Sequence, residues 1–224
     1  RIITHQYKYP GEYEAILVIK DLNNLYDTCS QIISTVNVGC EGITEIEYGG
    51  EIYLTVEIGN QCWLKENISI DVGTNWVDQS DSMYVEKYGR LYDKSTALFY
   101  TCPPGWHLPS DYEWCILTKH VDPTVECDTE GWSGSDIGKK LKSTNGWEDN
   151  GNGTDEYGFE VKPAGYVFDM GIFTHKESRA RFWSVTKYQT FMSWTRGFQS
   201  DMDQIFRHYL NNSGSGASVR CIKE

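Results

Sequence analysis

The amino-acid sequence predicts an α+β fold, in which short antiparallel strands and two short helices are joined by long loops. Ser110 followed three residues later by Glu113 is a capping-box pattern, which marks the first turn of a helix. Ile137 and Leu141 are spaced so that both fall on one face of a second helix. Elsewhere, short segments of alternating apolar and polar residues between Gly- and Asn-rich turns predict strands.

Composition narrows the class of protein. With 224 residues, the chain is long enough for one large or two small domains. Aromatic residues make up 14% and the mean hydropathy is −0.51, a combination that suits an extracellular β-rich protein. The net charge of −12 argues against nucleic acid and anionic membranes as partners. No apolar run approaches the ~20 residues of a membrane helix, so we expect no membrane span.

The seven cysteines are spread widely along the chain, without a CxxC pair or a histidine at the spacing of a zinc site. In an acidic, aromatic and glycine-rich chain this spread favours disulfides formed in an oxidising compartment. Scattered buried thiols are the alternative. Because the number is odd, at least one cysteine is free or pairs with another chain. The cysteines are Cys29, Cys40, Cys62, Cys102, Cys115, Cys127 and Cys221.

The first segment of the chain predicts two strands. Residues 11–20 alternate apolar and polar from Tyr13 to Ile19, and residues 30–38 predict a second strand after an Asn-containing turn. Over residues 9–38 the pattern resembles the C-terminal strands of a PKD or related immunoglobulin-like sandwich. An isolated hairpin is marginally stable and has open edges. Either the first half of the domain was cut away, or these strands complete a sheet with the rest of this chain or with a neighbouring copy.

We therefore divide the chain into residues 1–38, a partial β-sandwich, and residues 39–224, a second domain. In the second domain, a hairpin turn is expected at residues 48–51. Residues 71–90 are polar and predict irregular structure. The capped helix is expected to run over residues 111–120.

Eight separated motifs in the second domain carry a family resemblance. They are GNQCWLKENI, YGRLYD, CPPGWHLPSDYEW, GKKLKST followed by GW, NGNGTDEYGF, PAG, FWSVT and SVRCIKE. In this order and spacing they closely resemble the Fibrobacter succinogenes major paralogous domain over residues 40–224. The resemblance implies an exported protein of a Bacteroidetes-like or Fibrobacter-like bacterium.

A more distant resemblance sets the expected fold of the second domain. GWHLPSDYEW and SVRCIKE are similar to two segments of formylglycine-generating enzymes. This similarity implies a C-type lectin-like fold with two helices, twisted antiparallel sheets and neighbouring termini. Those enzymes keep their active cysteines in a late segment, whereas residues 193–212 of this chain contain none. We therefore expect no enzymatic activity and name no catalytic residue.

Residues 102–117, CPPGWHLPSDYEWCIL, resemble a site because they hold cysteines, tryptophans, a histidine and acids. Either His107 or Cys102 acts as a base or nucleophile, or the segment is a strand-to-helix corner. A nucleophilic cysteine needs a base within hydrogen-bond distance, and the sequence indicates none, so we favour the corner. Six cysteines allow many pairings. The expected disulfides are Cys102–Cys221, Cys115–Cys127 and Cys40–Cys62, which leave Cys29 over.

The best metal candidate is the loop EDNGNGTDEYGF at residues 148–159. Its carboxylate and amide oxygens, separated by glycines, are the ligands that Ca²⁺ prefers. The loop lacks the EF-hand pattern, and Asn and Gly are also common turn residues, so a plain turn is the alternative. The candidate calcium ligands are Asp149, Asn150, Asn152, Asp155 and Glu156.

Glycan binding is the other candidate activity. The Glu-Pro-Asn, Gln-Pro-Asp and Trp-Asn-Asp signatures of calcium-dependent lectins do not occur here. Surface aromatic rings can instead stack on sugars, with the loops at residues 71–90 and 187–216 as the surface. The alternative is that most of the eight tryptophans belong to the core. The candidates for stacking are Trp76, Trp132, Trp147 and Trp194.

Two functions are expected from these observations. The first is a non-enzymatic extracellular surface protein, acting as a structural or filament-forming subunit or as an adhesin module. Its partners would be copies of itself, joined by strand donation through residues 11–38, or other surface proteins or glycans. The second is a carbohydrate-binding module of a secreted or cell-surface protein.

Overall fold

The computed structural model describes residues 11–20, 24–35, 39–168 and 171–224. In these residues the protein is mostly β, with short helices and curled antiparallel sheets, which is compatible with the expected α+β class. The strands are β1 (Gly11–Lys20), β2 (Tyr26–Thr35), β3 (Glu45–Tyr48), β4 (Glu51–Ile58), β5 (Gln61–Leu64), β6 (Asn75–Trp76), β7 (Leu91–Tyr92), β8 (Trp106–His107), β9 (Gly131–Ser133), β10 (Tyr166–Phe168), β11 (Ile172–Thr174), β12 (Arg179–Gln189), β13 (Met192–Gln199), β14 (Ile205–Asn211) and β15 (Ile222–Lys223). The helices are α1 (Tyr84–Tyr88), α2 (Lys94–Phe99), α3 (Asp111–Val121) and α4 (Ile137–Leu141).

A five-stranded sheet has the order β3-β4-β5-β15-β8. The turn between β3 and β4 contains Gly49 and Gly50 with φ of 65° and 84°, which is the backbone that a tight hairpin requires. At the other side, Ile222 of β15 pairs with Trp63 of β5 and with His107 of β8. Segments that are far apart in sequence therefore become neighbours in this sheet.

A four-stranded sheet has the order β12-β13-β14-β9, and α3 packs against it. The ring of Trp114 in α3 is fully buried, with its centroid 4.9 Å from that of Trp63 and 5.6 Å from that of Phe182. Phe159 meets Trp63 edge-on at 5.6 Å. These aromatic contacts lie at the centre of the core that joins the two sheets.

Both helices predicted from the sequence are present. Ser110 Oγ accepts a hydrogen bond from the Glu113 backbone N–H at 3.1 Å, and Glu113 Oε2 accepts one from the Ser110 backbone N–H at 2.7 Å. This capping box starts α3, which ends at Val121, one residue beyond the prediction. In α4, Ile137 and Leu141 are both fully buried, as their spacing predicts.

The sequence does not predict the other two helices. No side chain caps the first turn of α1, so the segment carries no start signal. Asp93 does cap α2, and its side chain accepts from the Thr96 backbone N–H at 2.7 Å. The longest helix, α3, has 11 residues, and no helix in the described ranges is long and apolar enough to cross a membrane.

Three disulfides tie these elements together. The structure joins the cysteine pairs that the sequence analysis expected, and Cys29 is a free, exposed cysteine. The pairs are Cys40–Cys62, Cys102–Cys221 and Cys115–Cys127. Such bridges are compatible with an oxidising compartment.

Candidate functional site

The strands β1 and β2 form a two-stranded antiparallel sheet by themselves. They pair along their full length, from Gly11 opposite Thr35 to Lys20 opposite Tyr26. Within the described residues each strand therefore has one edge whose backbone groups pair with no other strand. Such edges are templates for pairing with another chain.

Both faces of this hairpin carry exposed apolar side chains. Residues 16–19, Ile-Leu-Val-Ile, are 54–59% exposed, and consecutive residues of a strand point to opposite faces. The alternation expected from Tyr13 to Ile19 is therefore wrong at its end, where four apolar residues follow one another. Continuous apolar runs are typical of strands that are covered on both faces. The partner strand adds Tyr26 and Ile32, which are also exposed.

The free energy of covering this surface is modest. Full burial of an aliphatic side chain contributes about 1.5–3 kcal/mol, so covering residues 16–19, already about half buried, contributes about 1 kcal/mol each. Because these residues alternate between the faces, two copies that pack one face against each other cover two of them apiece and gain about 4 kcal/mol by this measure. Association costs about 4–15 kcal/mol, so side-chain burial alone does not secure a stable contact. Backbone pairing along the free strand edges would have to add to it.

Cys29 lies within the same hairpin. It sits opposite Leu17 in the strand register, on the face that also carries Ala15 and Ile19. Its thiol is free and its side chain is exposed. The odd cysteine of the sequence is therefore on the hairpin, outside the part of the chain that holds the three disulfides.

Residues 102–117 form the strand-to-helix corner at the start of α3. Cys102 is disulfide-bonded to Cys221, so it offers no free thiol. His107 Nε2 lies 2.7 Å from Glu113 Oε1, and the same fully buried carboxylate accepts from Ser110. His107 and Glu113 therefore contact each other, and Glu113 also stabilises the first turn of α3 through Ser110.

The five candidate calcium ligands lie in a loop with turns at residues 149–150 and 156–157. Asn152 Oδ1 accepts from the Trp147 backbone N–H at 3.0 Å, and Asp155 Oδ1 accepts from the Glu160 backbone N–H at 2.7 Å. Burial raises the pKa of Asp155 above its usual value. Across the described ranges, no three or more His, Cys, Asp or Glu are grouped as a metal site requires, so Asp149, Asp155 and Glu156 form no such cluster. The oxygens of Asn152 and Asp155 thus hold the loop together, and a calcium site here stays a prediction.

The four candidate tryptophans differ in their surroundings. Trp147 is buried, and its Nε1 donates to Ser143 Oγ and to the Val161 carbonyl, both at 3.1 Å, so it cannot stack on a sugar. Trp76 is half-buried and packs beside Gly216, where an added Cβ would lie 2.6 Å from its ring. The remaining two, Trp132 and Trp194, are half-buried on the four-stranded sheet.

A cavity of about 430 Å³ lies between β4, α1 and residues 160–162. The guanidinium of Arg220 lines it, but donates to Asn67 Oδ1 and to the carbonyls of Leu64 and Phe159. The charges of its wall have both signs, so they favour neither an anion nor a cation. They belong to Glu51, Glu66, Glu86, Glu160, Lys65, Lys87 and Lys162.

Sequence reasoning missed two arginines of β12. The two-residue period of a strand places Arg179 and Arg181 on one face, opposite Ala180 and Phe182. Arg181 is only 8% exposed, and burial lowers its pKa to about 10. The sequence did contain a signal for them: in the segment RARFW, two arginines alternate with residues of the core.

Comparison with known proteins gives one family. A model of the Fibrobacter succinogenes major domain matches residues 56–223, which are 168 of the 224 residues. The match begins within β4 and does not include the β1–β2 hairpin. No curated protein and no solved structure matches the chain.

Proposed function

Because the chain belongs to the Fibrobacter succinogenes major domain family, we propose that it is a non-enzymatic extracellular bacterial protein that assembles with copies of itself. It would serve as a structural or filament-forming subunit or as an adhesin module. The observation that carries this proposal is the β1–β2 hairpin, which exposes aliphatic side chains on both faces and, among the residues that the structure describes, has two unpaired edges.

The hairpin needs a partner for physical reasons. Two strands alone are marginally stable in water, and an exposed apolar edge strand readily pairs with a strand of another chain. A second copy of the chain offers the same free edges and the same apolar faces. When such a contact is heterologous and does not close, it extends into an open filament. The net charge of −12 would keep subunits soluble before they assemble.

The same proposal includes the finer fold assignment. Residues 39–224 would form a C-type lectin-like domain, and residues 1–38 the last strands of a PKD or immunoglobulin-like sandwich. Support for the first part comes from β15, which lies beside β5, so the early and late strands of the matched region share one sheet. The three disulfides support an extracellular location.

Particle size tests the assembly. Light scattering and negative-stain microscopy would compare the unaltered chain with a double variant on each face, Ile16→Lys with Val18→Lys, and Leu17→Lys with Ile19→Lys. We expect particles larger than a monomer from the unaltered chain and monomers from both variants. Ile52→Lys, at an exposed apolar position of β4, is the matched control and should assemble normally.

Two outcomes would contradict the proposal. In the first, light scattering and microscopy show that the unaltered chain stays monomeric at the concentrations where surface proteins assemble. The other is assembly that persists unchanged in both double variants, because the contact would then lie outside the hairpin.

Carbohydrate binding is a second candidate function. It is favoured by half-buried aromatic rings on the four-stranded sheet, among them Trp132 at 4.7 Å from Phe206. A glycan array with the intact protein tests it, and an array without hits would remove the support.

A further inference from the structure

A row of flat side chains with an arginine in the middle runs from one face of the four-stranded sheet to residues of the β10–β11 hairpin and its flank. Arg181 Cζ lies 4.5 Å from the centroid of the Phe206 ring and 5.6 Å from that of Tyr166. Phe206 stacks on His208 at 5.3 Å, and Tyr166 stacks on His175 at 5.4 Å. The row therefore runs from His208 through Arg181 to His175.

The strand register explains why these groups meet. Gly197 of β13 pairs with Arg181 on one side and with Phe206 on the other, so the three residues share one face. A Cβ on Gly197 would lie 3.1 Å from Arg181 Cδ and 3.2 Å from Nη1. Glycine at this position thus lets the guanidinium lie flat over the strand. Trp132 of β9 pairs with Phe206 and extends the half-buried aromatic surface.

Arg181 lacks the partners that a buried cation usually has. In the part of the chain that the structure describes, it takes part in no ion pair, and its one hydrogen bond goes from Nη1 to Thr195 Oγ1 at 3.4 Å. Its two cation–π contacts, with Phe206 and Tyr166, stabilise the guanidinium. They offset the cost of burying a charge without a counter-ion only in part.

The other buried arginines of the chain are better satisfied. Arg196 forms an ion pair with Asp111. Arg220 donates to the side chain of Asn67 and to two backbone carbonyls. Among these arginines, Arg181 is the one whose surroundings leave donors for an outside group.

The charges around Arg181 favour an anion at the centre of the row. Arg179 lies two residues along the same strand face, and burial together with both arginines lowers the pKa of His175. The acids lie at the ends of the row. Glu130 Oε1 lies 3.4 Å from His208 Nε2. Glu148, Asp149 and Asp201 line a small pocket with His175 and Arg179.

We propose that Arg181 and the rings beside it bind a carboxylate-bearing sugar, such as a uronic acid residue of an extracellular polysaccharide. The guanidinium has the planar geometry that pairs with a carboxylate. The apolar face of the sugar ring packs on Trp132, because Phe206 is already covered by Arg181 and His208. Aromatic rings alone would also bind neutral sugars. Arg181, which forms no ion pair within the described residues, adds the preference for an anionic sugar. This site rests on the carbohydrate-binding function proposed above, but it is separate from the hairpin and does not depend on assembly.

Calorimetric titration of the intact protein tests the site with a trisaccharide of galacturonic acid and with its fully methyl-esterified form. We expect the acid to bind and the ester to bind at least about 10-fold more weakly, which is about 1.4 kcal/mol. Acetate and inorganic phosphate, which lack the sugar ring, should compete only at far higher concentrations. Equal affinity for acid and ester, no binding of either up to about 10 mM, or competition by acetate or phosphate at the level of the sugar would each overturn the proposal.

Variants locate the binding site. Arg181→Gln should weaken binding of the acidic trisaccharide at least about 10-fold and bring its affinity close to that of the ester. Trp132→Leu, at a half-buried rim position, should lower the affinity for both sugars by about 5-fold. This variant also tests the site if Arg181→Gln does not fold. Phe191→Ala, exposed in the turn between β12 and β13, is the control and should bind normally. Unchanged affinity in folded Arg181→Gln or Trp132→Leu, or lost affinity in Phe191→Ala, would refute the assignment.

Discussion

Replacing Lys94 with methionine should stabilise the protein at neutral pH. Lys94 is the first residue of α2 and only 6% exposed. Its Nζ donates one hydrogen bond, to the backbone carbonyl of Ser184, and lies 5.6 Å from the centroid of the Trp183 ring. Burial lowers the pKa of Lys94 to about 7, from an ordinary value of 10.5.

The sign of the effect follows from proton binding. Between about pH 7 and 10.5 the unfolded chain keeps the Lys94 proton that the folded chain has lost, so stability rises with pH across this window. Below pH 7 both states are protonated, and the full penalty of burying the charge remains. The pKa shift corresponds to roughly 5 kcal/mol, and the lost hydrogen bond to Ser184 costs about 1–2 kcal/mol. We expect Lys94→Met to gain roughly 2–3 kcal/mol at pH 7, after allowance for imperfect packing.

Urea unfolding at pH 7 and pH 9.5, with the disulfides intact, measures this gain. The advantage of Lys94→Met over the unaltered protein should shrink at the higher pH. Lys142→Met is the matched control, because Lys142 Nζ donates to the carbonyls of Gln199, Ser200 and Met202, each at 3.1 Å. Methionine there leaves three carbonyls without their donor and should destabilise. A Lys94→Met protein that is less stable at pH 7, or whose difference does not change with pH, would refute the reasoning.

Two further predictions concern the corner at residues 102–117. Replacing Cys102 and Cys221 with serine opens a bridge between residues 119 apart and should cost roughly 5 kcal/mol, seen by calorimetry as a lower melting temperature. An unchanged melting temperature would show that the bridge adds no stability. Glu113→Gln weakens the buried pair with His107 and the capping box, and should cost about 2–3 kcal/mol in urea unfolding. A loss no larger than that of Glu86→Gln, an exposed helical position, would contradict this role.

Local signals in the sequence were sufficient for the features that depend on neighbouring residues. The capping box needs only Ser110 and Glu113, and the turn at Gly49 and Gly50 needs only its own backbone. The helix α1 escaped prediction because no cap or long apolar period marks it. The three disulfide pairs are confirmed, although spacing alone leaves many pairings open and did not single them out.

The candidate ligand site depends on contacts that no local pattern contains. Arg181 acquires its environment from Tyr166, Gly197 and Phe206, which lie on three other strands. The sequence can place Arg181 on one face of a strand, but it does not say which rings will lie across from it. Trp147 shows the same limit, because its burial follows from contacts with Val161.

The position of β15 has a consequence for how the chain folds as it is made. Ile222 completes the five-stranded sheet between Trp63 and His107, and Cys221 beside it closes the bridge to Cys102. A chain that emerges from the ribosome amino end first has made almost the whole domain before this strand exists. Contacts of such long sequence separation form slowly, so the domain stays incompletely folded during synthesis. The Cys102–Cys221 bridge likewise cannot close until this last strand has been made.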